Sequence, residues 1–189
     1  MNTPLVISLI PDLSCIAVCG AATVIDTRHR RIPNRLTFPA FGIAVSMNWL
    51  LVSMDRGAVG GITEGLVPAL IGAALLFFSF LAFNAAKGVG MGDVKLMAAV
   101  GAFLRWPLAL WTLAFVLFAG ALLSFVYAMR SGALRDVFRN MALGAATLIG
   151  KKNAAPPLSL HYMPYAAAIL LGVIGAVMFR YYPLITAFF

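Results

Sequence analysis

The sequence predicts an all-α integral membrane protein. It is read as six transmembrane helices, N-terminus outside, with a cytoplasmic amphipathic helix between the fifth and sixth spans. Three observations predict this. Of 189 residues, 62% are hydrophobic and only 11% charged, against about 45–50% and about 25% in a soluble domain. Apolar segments recur at roughly 5–25, 36–54, 66–86, 93–104, 106–128 and 164–182, most of them close to the ~20 residues a crossing helix needs. The basic residues fall almost entirely between alternate segments. The length leaves no room for a separate soluble domain, so 1–189 is read as one membrane domain.

The first segment opens "MNTPLVISLIPDL", with no Lys or Arg before its apolar run. A cleaved signal peptide needs a basic start, so this segment is expected to be retained. Cys15 and Cys19 read as small apolar helix residues, and the lack of any other cysteine excludes a four-Cys zinc site. Asp12 follows Pro11, a pair suited to a first helical turn or else a kink charge within the first span, and reads as structural. Between the second and third segments, Asp55 and Glu64 read as solvated loop charges. The fourth segment is short, and Arg105-Trp106-Pro107 divides it from the fifth, because proline cannot continue a helix without losing a hydrogen bond. Beyond the fifth, Leu134, Val137, Phe138, Met141 and Leu148 recur at helical spacing with Arg135, Asp136, Arg139 and Asn140 between them. That pattern predicts an amphipathic helix on the inner leaflet, its arginines favouring anionic lipid head groups. "KKNAAPPLS" then connects to the last span.

Charge fixes the orientation. With six crossings, one side holds Arg28, Arg30, Arg31, Arg35, Lys87, Lys95, Arg130, Arg135, Arg139, Lys151 and Lys152, eleven of the 14 basic residues. The other holds Arg56, Arg105 and Arg180. If the fourth segment were re-entrant, the split would fall to eight against six, so the bias of basic residues to the inner side favours six crossings. The net charge of +8 is this bias rather than a nucleic-acid footprint, and no nucleic-acid partner is expected.

Of the six acidic residues, Asp26 and Asp93 stand apart. Asp26 ends the first span and Asp93 opens the fourth, so both fall at the cytoplasmic membrane face. Carboxylates at that depth are costly in hydrocarbon and are functional candidates by default. Two sharing a site cannot both ionise easily, so one keeps a proton. Such a pair activates water against an amide: the anion takes the water's proton and the acid supports the carbonyl oxygen. Helix dipoles favour the anion at Asp93, at a helix N-terminus, and the acid at Asp26, at a C-terminus. Gly88, Gly90 and Gly92 alternate through the approach to Asp93. They suit either a loose interhelical loop or the close passage of an extended peptide backbone. Lys95 either supports Asp93 or marks the inner side. His29 and His161 read as loop or interface residues, with His29 near enough to Asp26 to perturb it.

At these residues the sequence resembles the type IV prepilin peptidases, membrane aspartic proteases of the Gly-x-Gly-Asp class. Gly90-Met91-Gly92-Asp93 matches that motif. Asp26, followed by Arg31-Ile32-Pro33-Asn34-Arg35-Leu36-Thr37, resembles the first catalytic aspartate and its context, and Pro164-Tyr165-Ala166-Ala167-Ala168-Ile169 up to Gly172 resembles the start of the final span. The resemblance implies cleavage, at the cytoplasmic side of the bacterial inner membrane, of pilin-like precursors with a short basic leader. It implies Asp26 and Asp93 as the catalytic pair, substrate passing Gly88, Gly90, Gly92 and Lys95, and no metal or other cofactor. The paired Cys-x-x-Cys motifs of larger members, associated with N-methylation, are not found here. The compact form resembles the peptidases of tight-adherence (Flp-type) pili, and methyl transfer is not expected. Two other readings compete: a small proton-coupled transporter subunit, which would want charges nearer mid-bilayer, and a non-catalytic pilus or secretion assembly factor, which leaves the Gly-x-Gly-Asp spacing unexplained.

Overall fold

A glycine decides how the long apolar stretch 34–85 is used. The computed structural model describes residues 3–85, 89–130 and 165–186. Their helices are α1 Thr3–His29, α2 Asn34–Gly60, a π-helical turn Gly61–Leu66, α3 Val67–Ala85, α4 Met91–Leu104, α5 Leu108–Arg130 and α6 Tyr165–Thr186. Among the described residues there is no strand. By length and composition, Ser8–His29, Asn34–Ala85, Leu108–Tyr127 and Tyr165–Tyr182 are able to cross a membrane. The second of these holds 52 residues, but it is not one straight rod. Gly57 leaves helical dihedrals at φ 76°, ψ 176°, a region glycine enters without a Cβ clash. Beyond it the chain folds back: a Cβ on Gly61 would strike the Ser53 side chain, and one on Gly65 the backbone of Asn48. In a continuous helix residues 48 and 65 would lie about 25 Å apart. The stretch is therefore two antiparallel limbs, α2 and α3, as the segments 36–54 and 66–86 predict. The connection differs from the expected loop: residues 55–66 stay helical apart from Gly57, and Glu64 pairs with Arg56 there.

α4 is buried on nearly every side, with Val94, Leu96, Met97 and 99–104 all enclosed. A helix apolar all round sits among other helices. Its 14 residues reach about 21 Å, less than the ~30 Å of hydrocarbon in a bilayer. Its exposed last-turn carbonyls need donors, and α2 supplies them. Asn48 Nδ2 donates to the carbonyls of Ala102 at 2.9 Å and Phe103 at 3.2 Å. The Trp106 N–H donates to the Pro68 carbonyl at 3.0 Å. Along its length α4 meets α3 through two glycines. A Cβ on Gly101 would lie 2.5 Å from the Gly72 carbonyl carbon and 2.8 Å from the Ala73 nitrogen. Small residues let helix backbones approach this closely within a membrane.

α1 and α6 run antiparallel and are tied at both ends. The Thr23 hydroxyl donates to the Ala166 carbonyl at 3.1 Å. At the other end Asp12, 1% exposed, accepts from Arg180 at 2.8 and 2.9 Å and from the Tyr181 hydroxyl at 2.9 Å. Asp12 is structural, as the sequence suggests, through an ion pair rather than a first helical turn. α5 lies against α6 where Gly172 meets Val116 and where Trp111 and Phe115 face Phe179. Cys15 and Cys19 are buried in the apolar core. The chain divides into two units, Met1–Ala119 with Pro164–Phe189, and Gly120–Met163. Of the second, 120–130 are described, the closing turns of α5. The expected amphipathic helix, Lys87, Gly88 and His161 lie outside the described residues.

Polar groups collect at opposite ends of the first unit. Arg56, Arg105 and Arg180, the three basic residues expected outside, gather with Asp12 and Glu64, and Arg105 donates to the Glu64 carbonyl at 3.3 Å. Burial and then the neighbouring Arg180 pull the Arg105 guanidinium below its ordinary pKa. Asp26, Asn34, Asp93 and Lys95 occupy the other end.

Candidate active site

Asp26 lies in the last turn of α1 and is 3% exposed. The helix stops just beyond it. Arg30 takes a left-handed φ of 52° and donates its N–H to the Asp26 carbonyl at 2.8 Å, and Pro33 then stands as N-cap of α2. The short 30–33 connection leads the chain directly to α4. A Cβ on Gly92 would come within 3.1 Å of the Ile32 Cβ. Asn34 Oδ1 accepts from Lys95 Nζ at 2.9 Å, and the same ammonium lies 5.4 Å from the Phe38 ring centroid. Ile32-Pro33-Asn34 thus clasps the first turn of α4. The sequence marks these residues by resemblance, and the clasp is their physical role. Lys95 is held by α2, one of several places an ammonium two residues beyond Asp93 could go.

Asp93 is the third residue of α4 and closes a capping box with Gly90. Its Oδ2 accepts the Gly90 N–H at 3.3 Å, satisfying a donor the helix start would leave orphaned. The approach is pinned as well, because Asn84 Nδ2 donates to the Val89 carbonyl at 2.7 Å. The clasp brings the two aspartates close enough for the charge of Asp26 to act on Asp93. Asp93 lies outside the four apolar crossing stretches. Burial, and second the Asp26 charge, push its carboxyl from 3.8 up to about 6, with the Gly90 N–H offsetting part of the rise. The helix dipole alone predicts ready ionisation of Asp93, but desolvation and a like charge outweigh it. Asp93 therefore keeps its proton up to about pH 6, and acid–base attack on an amide uses one protonated and one ionised carboxyl.

Two oxygens here are buried without a hydrogen-bond partner among the described residues: Asp93 Oδ1 and Thr37 Oγ1. Thr37, one helical turn beyond Asn34, closes the stretch that carries the resemblance, though its sequence position alone assigns it no role. Across the site, Tyr165 opens α6 and packs edge-on against Phe80 of α3, ring centroids 5.9 Å apart. Of the residues expected to meet substrate, Gly90 caps Asp93, Gly92 packs on Ile32, Lys95 is turned to Asn34, and Gly88 is not described. Among the described residues no three His, Cys, Asp or Glu side chains gather as a metal site would need.

Residues 13–128 match the model of the Type IV leader peptidase family. Similar curated proteins include the prepilin leader peptidase/N-methyltransferase of Dichelobacter nodosus, 30% identical over 130 residues, covering 66% of this chain and 40% of that protein. Those of Dickeya chrysanthemi, 28% identical over 102 residues (53% and 34%), and Xanthomonas campestris pv. campestris, 36% over 98 residues (48% and 30%), are also similar. The chain thus spans less than half the length of these relatives. No solved structure matches.

Proposed function

Because the chain belongs to the Type IV leader peptidase family, we propose that it is an aspartic endopeptidase that removes the basic leader from type IV, Flp-like prepilins. Asp26 and Asp93 are its catalytic pair. The observation that carries this reading is their electrostatic coupling at one end of the helix bundle, with Asp93 buried and raised to about 6. One carboxylate takes a proton from water. The water oxygen attacks the scissile carbonyl, and the protonated partner hydrogen-bonds the carbonyl oxygen as charge develops there. As the intermediate collapses, the leaving amine takes a proton from the pair. Gly88, Gly90 and Gly92 let the extended substrate backbone pass, and Lys95 helps hold it.

The chain crosses the bacterial inner membrane six times, N-terminus outside, with α4, enclosed by its neighbours and so able to be shorter than a lipid-facing span, as the fourth crossing and Asp93 at its cytoplasmic edge. The cleavage site then faces the cytoplasm. The gathering of Arg56, Arg105 and Arg180 at the end away from the aspartates supports this orientation. The partners are the prepilin and the surrounding lipid, without nucleic acid and without a cofactor, and the mature pilin is left unmethylated.

Co-expression with a tagged Flp-like precursor tests the reading. The wild type shortens the precursor, and the Asp26→Asn and Asp93→Asn variants each leave it intact. Normal cleavage by either variant overturns the dyad. An unprocessed precursor with every protein returns the chain to the transporter or assembly readings.

A further inference from the structure

The first turn of α6 is set against the aspartate site from two sides. On one, Thr23 of α1 holds the Ala166 carbonyl at 3.1 Å, and Asp26 follows Thr23 by about one turn. On the other, Phe80 of α3 holds the Tyr165 ring edge-on. One turn beyond Phe80, Asn84 fastens the Val89 carbonyl beside Gly90. Tyr165 is thereby placed among α1, α3 and α4, at the end of the bundle where the charge of Asp26 acts on Asp93. It is half-buried, and the charge of Asp93 reaches it.

Among the described residues Asp93 lacks one donor. Its Oδ2 has the Gly90 N–H, while its Oδ1 is buried with no donor among the described residues. Buried carboxylate oxygens are rarely left so, because the desolvation cost of an unsatisfied acceptor is high. A phenol hydroxyl is a donor, and no described hydrogen bond occupies that of Tyr165. Tyr165 also lies beyond the residues 13–128 that match the family model.

We propose that Tyr165 is a positioning residue of this site: its hydroxyl donates to Asp93 Oδ1, directly or through the attacking water, when substrate is bound. The bond orients the carboxylate and favours its anion. Lys95 is turned to Asn34, and the charge that acts on Tyr165 is that of Asp93 from α4. From α3 the ring meets Phe80.

The inference rests on the peptidase reading, and the test separates the two. Tyr165→Phe keeps the ring against Phe80 and removes the donor. With purified protein in detergent and a synthetic precursor peptide, kcat is expected to fall about 10-fold with KM unchanged. The pH limb reporting Asp93 moves up by about one pH unit, since loss of a donor to the anion disfavours it. The unfolding midpoint stays at the wild-type value. Tyr165→Leu, which loses ring and hydroxyl together, lowers both kcat and the midpoint. An unchanged kcat and pH profile in Tyr165→Phe overturns the inference while leaving the peptidase reading in place, as does a loss of kcat with no movement of the limb. A wild type that cleaves no precursor overturns both.

Discussion

Gly101→Ala links the membrane packing to the chemistry and yields a number. A Cβ at this position would stand 2.5 Å from the Gly72 carbonyl carbon, whereas non-bonded carbons settle at about 3.5–4.0 Å. The obstruction is backbone on both helices, so no side-chain rotation relieves it. α3 and α4 must part by about 1 Å, with an overpacking cost of about 1–3 kcal/mol. α4 carries Asp93 at its first turn and α1 carries Asp26, so the displacement is passed to the gap between the carboxylates. A 1 Å misplacement of reacting groups can cost about 100-fold in rate. The assay is single-turnover cleavage of a precursor peptide in detergent, beside thermal unfolding of the same preparation. Gly101→Ala is expected to lose on the order of 10–100-fold in cleavage rate and to unfold at lower temperature. Gly42→Ala is the control. Nothing lies within 4 Å of its would-be Cβ, and alanine stabilises an open helical site by roughly 0.5–1 kcal/mol. If Gly101→Ala matched the wild type in both rate and midpoint, the close α3–α4 approach would not be what holds Asp93 in register.

Three further outcomes follow from the same geometry. Asp26→Asn removes the second-largest cause raising Asp93, so its titration, followed by carboxyl-selective labelling against pH, moves down from about 6 while remaining above 3.8 because burial persists; movement upward would contradict the coupling. A carboxyl raised on folding gives up stability as pH climbs from about 4 to 6, so Asp93→Asn, which can still cap α4, should be more stable than wild type at pH 7 by up to about 3 kcal/mol, and equal to it below pH 4. Asp12→Leu strands Arg180 and is expected to cost about 3 kcal/mol, whereas Asp12→Leu with Arg180→Met recovers most of it; equal stabilities for the single and double variants would show that the pair is not holding α1 to α6.

Much of the architecture could be read from residues taken one stretch at a time. Apolar runs near 20 residues gave the helices, and the basic residues sorted between their ends. Asp26 and Asp93 stood out because a carboxylate at a membrane boundary needs a reason to be there. The contacts that unite them were not legible, because each joins residues distant in the sequence. Asn48 reads as an ordinary polar residue in an apolar span until the end of α4 appears beside it, needing donors for Ala102 and Phe103. Asn34 and Lys95 are 61 residues apart, and nothing local pairs them. The state of Asp93 went the other way. Helix position suggests an easy anion, and that local rule yields to burial and a like charge visible only after folding.

The Asp12–Arg180 pair also sets a timetable. The two residues are 168 positions apart. At about 5–20 residues per second of synthesis, Asp12 leaves the ribosome on the order of 10–30 s before its guanidinium exists. Through that interval α1 carries the Asp12 carboxyl without its ion-pair partner, which favours the protonated acid or a place beside the insertion machinery over a settled seat in lipid. Of the described helices α1 is made before the others, yet it gains this tie only with α6. Since α1 also carries Asp26, the helix bearing one of the two site carboxylates is tied to α6 through this pair only after Arg180 has been made.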